Sequence, residues 1–291
     1  GIGNYLLAAK GKRLRPALVI LSAGASHDLS SALPAVIPIA TAVELIHMAS
    51  LIHDDIIDRA SLRHHKPTVN SKWGNEVAIA LGDYLYSQAF ELISECGNPD
   101  IIRCVSAATK AMCEGEFVQI CERDNLDLLK RHYLVMVKKK TAALFAACCQ
   151  TGAMAADEKS PLQIALKGYG LNFGIAFQMV DDCLDIIGKA GDLGKMPGAD
   201  FKMGELTLPI LNLLSQSKDK DYLLSLLKHQ DKPAAFIEMR KRFLAGRAVI
   251  QTKQDISTYL CKAKKSLYPL RESSFKDGLI ALADYVVQDK L

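Results

Sequence analysis

Ten prolines in 291 residues leave three long stretches without one, at 100–160, 162–196 and 234–268. Proline ends or kinks a helix, so a chain that keeps it out of such lengths is free to run as helix through them. The apolar spacing agrees: Ile39, Ala42, Val43, Ile46, Ala49 and Ile52 recur at intervals of three or four, the period of one helix face. No stretch alternates convincingly with period two, and runs rich in Val, Ile and Thr between turn residues are scarce. The expected fold class is all-α. Breaks fall at Ser26–Ser31, Lys66–Pro67, Gly97–Pro99, Asp157–Pro161, Gly188–Gly198 and Ser215–Asp221. All are short and polar, none resembling an interdomain linker, so residues 1–291 are expected to form a single large helical bundle domain. Ser160 before Pro161 and Asn98 before Pro99 read as helix starts.

Composition removes several classes of function. At 49% hydrophobic and 23% charged the chain is globular. Thirty-six basic against 32 acidic residues give a net charge of +4, too small and scattered for a nucleic-acid footprint. The longest run without a charged side chain, Thr141 to Ala156, is 16 residues, against about 20 for a membrane span, so none is expected. The chain opens on Gly1 without a basic-then-apolar leader, which reads as a start other than the natural one. Eight cysteines lack zinc or C-x-x-C spacing and are expected as free, mostly buried thiols of a cytoplasmic protein.

One chemical pattern occurs twice. Asp54, Asp55 and Asp58, and again Asp181, Asp182 and Asp185, spell D-D-x-x-D. The first closes the apolar stretch that begins near Ile39; the second sits late in one that begins near Leu162. At four-residue spacing Asp54 and Asp58 share a helix face, as do Asp181 and Asp185. Two carboxylates about 4 Å apart repel by roughly 4 kcal/mol at an effective dielectric near 20, and a helix C-terminus worsens it. A cation must offset this. Oxygen-only donors suit a hard divalent ion, and Mg²⁺ takes few carboxylates and fills its remaining positions with water and substrate phosphate, so a phosphorylated substrate is expected. An EF-hand counted from Asp181 would need Gly and Glu where Ile186 and Asp192 stand. Lys12, Arg15, Arg63, Lys140, Thr141 and Lys195 could grip diphosphate oxygens. Gly168, Gly170 and Gly174 miss the dinucleotide fingerprint and read as helix-packing positions.

Together, G-K-R-L-R-P at 11–16, H-D-D-I-I-D at 53–58, Gly115-Glu116 with Gln119, Lys140-Thr141, F-Q-M-V-D-D-C-L-D at 177–185 and G-K-M-P-G-A-D at 194–200 resemble the trans-isoprenyl diphosphate synthases of long-chain type. The resemblance spans residues 11 to about 210. It implies an isoprenoid synthase-like bundle around a deep central cavity with the two acidic motifs facing each other, usually in a homodimer. It assigns Asp54, Asp58 and Asp181 to Mg²⁺, with Asp55, Asp182 and Asp185 in support; these six with Lys140 and Lys195 form the catalytic set. Arg63, Lys140, Thr141, Gln178 and Lys195 would contact the allylic diphosphate, and Lys12, Arg15 and His47 isopentenyl diphosphate. The implied reaction is ionisation, condensation and elimination, with no protein nucleophile.

Two positions depart from the family pattern. His64 stands where a second arginine is expected on isopentenyl diphosphate, and Glu205 stands where lysine is common, with Lys202 one turn earlier as a substitute. Product length is read upstream of the first motif. Ser50 and Ala49 are small and would let a tail grow past them toward Ile46, giving a product longer than farnesyl. Geranylgeranyl diphosphate synthesis and the role of an assisting subunit stay as alternatives. A terpene cyclase is disfavoured by the second D-D-x-x-D.

Overall fold

The computed structural model describes residues 1–7, 11–63, 66–123, 125–127, 130–156, 161–188, 197–229 and 232–288. The expected all-helical architecture is met. A short helix α1 (Ile2–Leu7) precedes α2 (Leu14–Ser26) and the long α3 (Leu29–Ile57). A two-stranded antiparallel ladder follows, β1 (Leu62–Arg63) with β2 (Lys66–Pro67), the one strand pairing among the described residues. Then come α4 (Val69–Trp73), α5 (Asn75–Ser94), α6 (Pro99–Glu122) and α7 (Lys130–Val137). The latter runs through a wider π-helical turn, Lys138–Ala142, into α8 (Ala143–Ala156). The chain continues as α9 (Leu162–Ile187), α10 (Ala199–Lys202), α11 (Leu208–Gln216), α12 (Lys220–Leu227), α13 (Pro233–Ala245), α14 (Ala248–Ser266) and α15 (Ser274–Gln288).

Local chemistry sets these ends. Asn98 accepts a hydrogen bond from the Asp100 N–H at 2.9 Å, with Pro99 at the first helical position, as expected. Helix α3 begins ten residues before Ile39. Asp28 caps it by accepting from the Ser30 N–H, and the helix runs on through Pro34 and Pro38. Both prolines lie past the first turn, so each removes one backbone bond, and burial of Val36, Ile39, Ala40 and Val43 holds the turns they weaken. By length and composition α3 could cross a bilayer, but its apolar side chains pack against α2, α5 and α8. Ser160 lies outside the described residues, and Pro161 caps α9 rather than opening it.

Helices α8 and α9 pack closely. A Cβ on Gly170 would stand 2.4 Å from the Phe145 carbonyl oxygen, and one on Gly174 would stand 2.7 Å from the Ala142 Cα, so these glycines serve helix packing. Helix α14 lies along α9 and is tied to α7 and α11 where Asp255 accepts from Lys130 Nζ at 2.5 Å and Asn212 Nδ2 at 3.0 Å. Of the cysteines, Cys148, Cys149 and Cys183 are buried, whereas Cys113, Cys121 and Cys261 are exposed. The expectation that most are buried is corrected; all eight are free thiols.

Candidate active site

Both acidic motifs end their helices. Asp58 is the C-cap of α3, and beyond it Arg59 adopts a left-handed φ of 51°. The Arg59 N–H donates to the Ile56 carbonyl at 3.1 Å and the Ala60 N–H to the Asp55 carbonyl at 2.9 Å, a Schellman ending with arginine where glycine is usual. That turn sends the chain back so that Arg63 reaches Asp55, donating from Nε at 2.9 Å and Nη2 at 2.8 Å to one oxygen. The second motif occupies the last two turns of α9. A cavity of about 160 Å³ is lined by Asp58 from the first motif and by Asp181 and Asp182 from the second. Thr141, Gln178, Lys140, Arg123, Gln119, Tyr133, Asp200 and Glu205 share its wall.

The six aspartates divide in two by their surroundings. Asp55, Asp182 and Asp185 are buried and hydrogen-bonded. Asp182 accepts from the Tyr133 hydroxyl at 2.6 Å and from Gln178 Nε2 at 2.8 Å, and Gln178 in turn accepts from the Thr141 hydroxyl at 2.8 Å. Asp185 accepts from the Ala199 and Asp200 N–H groups at 3.3 and 3.2 Å. These two amides open α10 and give the Asp185 carboxylate, four residues after Asp181 on the same helix, backbone donors of its own. By contrast Asp181 is exposed and Asp54 half-buried, and neither carboxylate has a hydrogen-bond partner among the described residues. Burial is the main force raising the Asp54 carboxyl to about 6, against the nearby Lys140. Asp58 is paired with Arg123 Nη2 at 2.5 Å.

The oxygen-only donors of Asp54, Asp58 and Asp181 fit a hard divalent ion. Among the described residues no three acidic, histidine or cysteine side chains already stand together as a metal cluster. Such an ion would therefore need water and ligand phosphate to complete its shell.

The basic groups are placed by packing. Lys140 sits in the π turn, where a Cβ on Gly115 would come within 2.4 Å of its backbone nitrogen, so glycine there lets α6 approach. Its Nζ lies 2.5 Å from Glu116. Burial opposes its charge, but Asp54, Glu116 and Glu205 outweigh burial and raise its pKa. The Arg15 guanidinium lies 4.5 Å from the Phe145 ring centre, with a buried Nε that has no partner. His47 is kept neutral by burial and by Arg15, Arg63 and Arg13. The Lys12 ammonium lies over the Tyr285 ring at 5.5 Å.

His64 and Lys195 lie outside the described residues. Lys202 is exposed and is not among the residues that line the cavity. Glu205 is itself on the wall, accepting from Gln119 Nε2 and lying 3.5 Å from Arg123 Nη2. The three positions expected to gauge product length stand away from the described cavity. Ala49 is fully buried with Ile52, Val69, Ala78 and Leu85, Ile46 belongs to the main core, and the Ser50 hydroxyl donates to the His47 carbonyl at 2.9 Å. Ala49 is five residues before Asp54, a rotation of about 140° beyond one turn, which takes it toward α5.

Arg123 and Tyr133 were not singled out from the sequence. Arg123 was legible as the next residue on the face of Glu116 and Gln119, whereas nothing in the spacing marks Tyr133.

A family model described as polyprenyl synthetase matches residues 1–241. The chain belongs to the polyprenyl synthetase family. It is 40% identical over 241 residues to heptaprenyl diphosphate synthase component 2 of Geobacillus stearothermophilus, covering 82% of this chain and 74% of that protein. It is 36% identical to the geranylgeranyl diphosphate synthase of Methanosarcina mazei, over 98% of this chain and 87% of that protein. The polyprenyl synthase of Caulobacter crescentus, solved with calcium and isoprenyl diphosphate, superposes with a TM-score of 0.92 at 34% identity, over 99% of this chain and 88% of that one. This polyprenyl synthetase is a prenyltransferase, and its fold is the isoprenoid synthase fold.

Proposed function

We propose that this chain joins isopentenyl diphosphate to an allylic diphosphate, farnesyl or geranyl, to make a product longer than farnesyl diphosphate. The observation that carries the reading is the shared wall: Asp58, Asp181 and Asp182 face one cavity, while the Asp54 and Asp181 carboxylates have no hydrogen-bond partner among the described residues. Mg²⁺ held by Asp54, Asp58 and Asp181 would supply positive charge to the departing diphosphate. Lys140 and Thr141, with Lys195, bind the same diphosphate; Gln178 orients Thr141 and Asp182 by its two hydrogen bonds. Arg15 and His47, with Lys12, receive isopentenyl diphosphate, and the unpartnered Arg15 Nε is a donor in waiting. Arg63 fixes Asp55. The allylic C–O bond breaks, the isopentenyl double bond attacks the allylic carbon, and a proton lost to the released diphosphate restores a double bond. An uncompensated polyanion beside an apolar cavity would be prohibitively costly, and these cations prevent that.

Residues 1–291 act as one domain, in a homodimer of the cytoplasm. Val77, Ile79 and Tyr84 on α5 with Phe117 and Ile120 on α6 are exposed apolar side chains suited to a second copy. A partner chain in place of that copy is the second reading, favoured by the relative named as a component 2. The test incubates the purified chain with farnesyl diphosphate, isopentenyl diphosphate and Mg²⁺ and separates the products by chain length. Elongated product from the chain alone supports the first reading, and product only after a second chain is added supports the other. Asp54→Asn should lower kcat by roughly a hundredfold or more.

A further inference from the structure

The described wall of the cavity carries six carboxylates, Asp58, Glu122, Asp181, Asp182, Asp200 and Glu205, and two cations, Arg123 and Lys140. Lys140 is engaged by Glu116. Arg123 stands between two acids through a single nitrogen: Nη2 is 2.5 Å from Asp58 Oδ1 and 3.5 Å from Glu205 Oε1. Its side chain is only 19% exposed, and its Nε is buried without a hydrogen-bond partner. Glu205 is anchored through that same Oε1 by Gln119, which lies on α6 one turn before Arg123. The guanidinium thus has a strong partner, a waiting partner and an unused donor.

An oxygen of Asp58 paired with Arg123 at 2.5 Å is not free for a divalent ion. We propose that Arg123 is a resident counter-ion of the metal-free site, passed from Asp58 to Glu205 when a divalent cation loads. Resting on the metal reading above, this makes Arg123 and Glu205 positioning residues that set metal affinity. Without Glu205, a displaced guanidinium would be left buried and unpaired, and would hold Asp58 harder. With it, the arginine keeps a carboxylate partner only about an ångström further off, and its unused Nε can donate to a ligand oxygen in the cavity.

The test measures Mn²⁺ binding to the substrate-free protein by the loss of the free-ion paramagnetic resonance signal. Wild type, Arg123→Gln, Glu205→Gln and the double variant are compared. Arg123→Gln should tighten Mn²⁺ binding by about tenfold or less, since the competitor is gone. Glu205→Gln should weaken it. In the Arg123→Gln background the same Glu205 change should lose most of its effect, a coupling of about threefold or more. Arg123→Lys should restore most of the wild-type affinity. Strictly additive effects would mean that both residues act only as distant charges and would overturn this inference alone, leaving the metal reading intact. Absence of Mn²⁺ uptake by wild type, with and without inorganic diphosphate, would overturn both.

Discussion

The Tyr133 hydroxyl on α7 donates to Asp182 Oδ2 on α9 at 2.6 Å, a buried bond between two residues of the cavity wall. Burial, then the neighbouring Asp182 carboxylate, raises the phenol pKa well above its usual value, so the group stays a donor at any physiological pH. Tyr133→Phe leaves a buried carboxylate with one donor fewer. The expected cost is about 1.5–3 kcal/mol of stability, read from urea denaturation. A fall in kcat of roughly tenfold or more should accompany it, because Asp182 holds Gln178 and through it Thr141.

Gly115→Ala tests how Lys140 is placed. The added methyl would press on the Lys140 backbone, a neighbour that has no side-chain rotamer to escape by. The variant should lose about 1–3 kcal/mol and raise KM for the allylic diphosphate. Gly97→Ala, at a left-handed φ of 66° with open space around it, should cost stability without moving KM.

The raised pKa of Asp54 predicts a slope of stability against pH in chelator-containing buffer. Between about pH 4 and 6 the folded chain keeps a proton on Asp54 that the unfolded chain has already lost. Raising the pH through that window strips it, so stability relative to the unfolded state falls as pH rises. Compared with Asp54→Asn, wild type should lose stability from pH 4 to pH 6 and run parallel above it. Parallel curves throughout would place Asp54 in water.

Ala49→Tyr distinguishes packing from product gauging. With Ala49 fully buried among Ile52, Val69, Ala78 and Leu85, a phenol has no room, and the melting temperature should drop with a loss of about 1–3 kcal/mol. Chromatography of the same variant's products then shows whether a growing tail passes between α3 and α5. A shortened series would place the tail there.

Much of this was legible before any coordinates. The interval between prolines and the three-four spacing from Ile39 gave the helices, because burial of one face imposes that period. The second acidic motif was placed correctly within a helix starting at Leu162. The start of α3 was hidden by Pro34 and Pro38, where tertiary burial overrides a local helix breaker. The sorting of the aspartates was also illegible. Helical spacing puts Asp185 on the face of Asp181, but it gives no sign of the amides of Ala199 and Asp200, fourteen and fifteen residues on, that hydrogen-bond it. Arg63 likewise looks like a free phosphate ligand until the Arg59 turn folds it onto Asp55.

The π turn at Lys138–Ala142 carries one residue more than an α-helical turn would. Excising one of those five would close the turn to ordinary α winding and, because the widened turn had absorbed the extra residue, leave α7 and α8 nearly in phase. Tyr133 would still face Asp182, while the residues of the turn itself, Lys140 and Thr141 among them, would be redistributed away from Glu116 and Gln178. A single surplus amino acid thus serves as a local bulge that presents two side chains without turning the helices on either side.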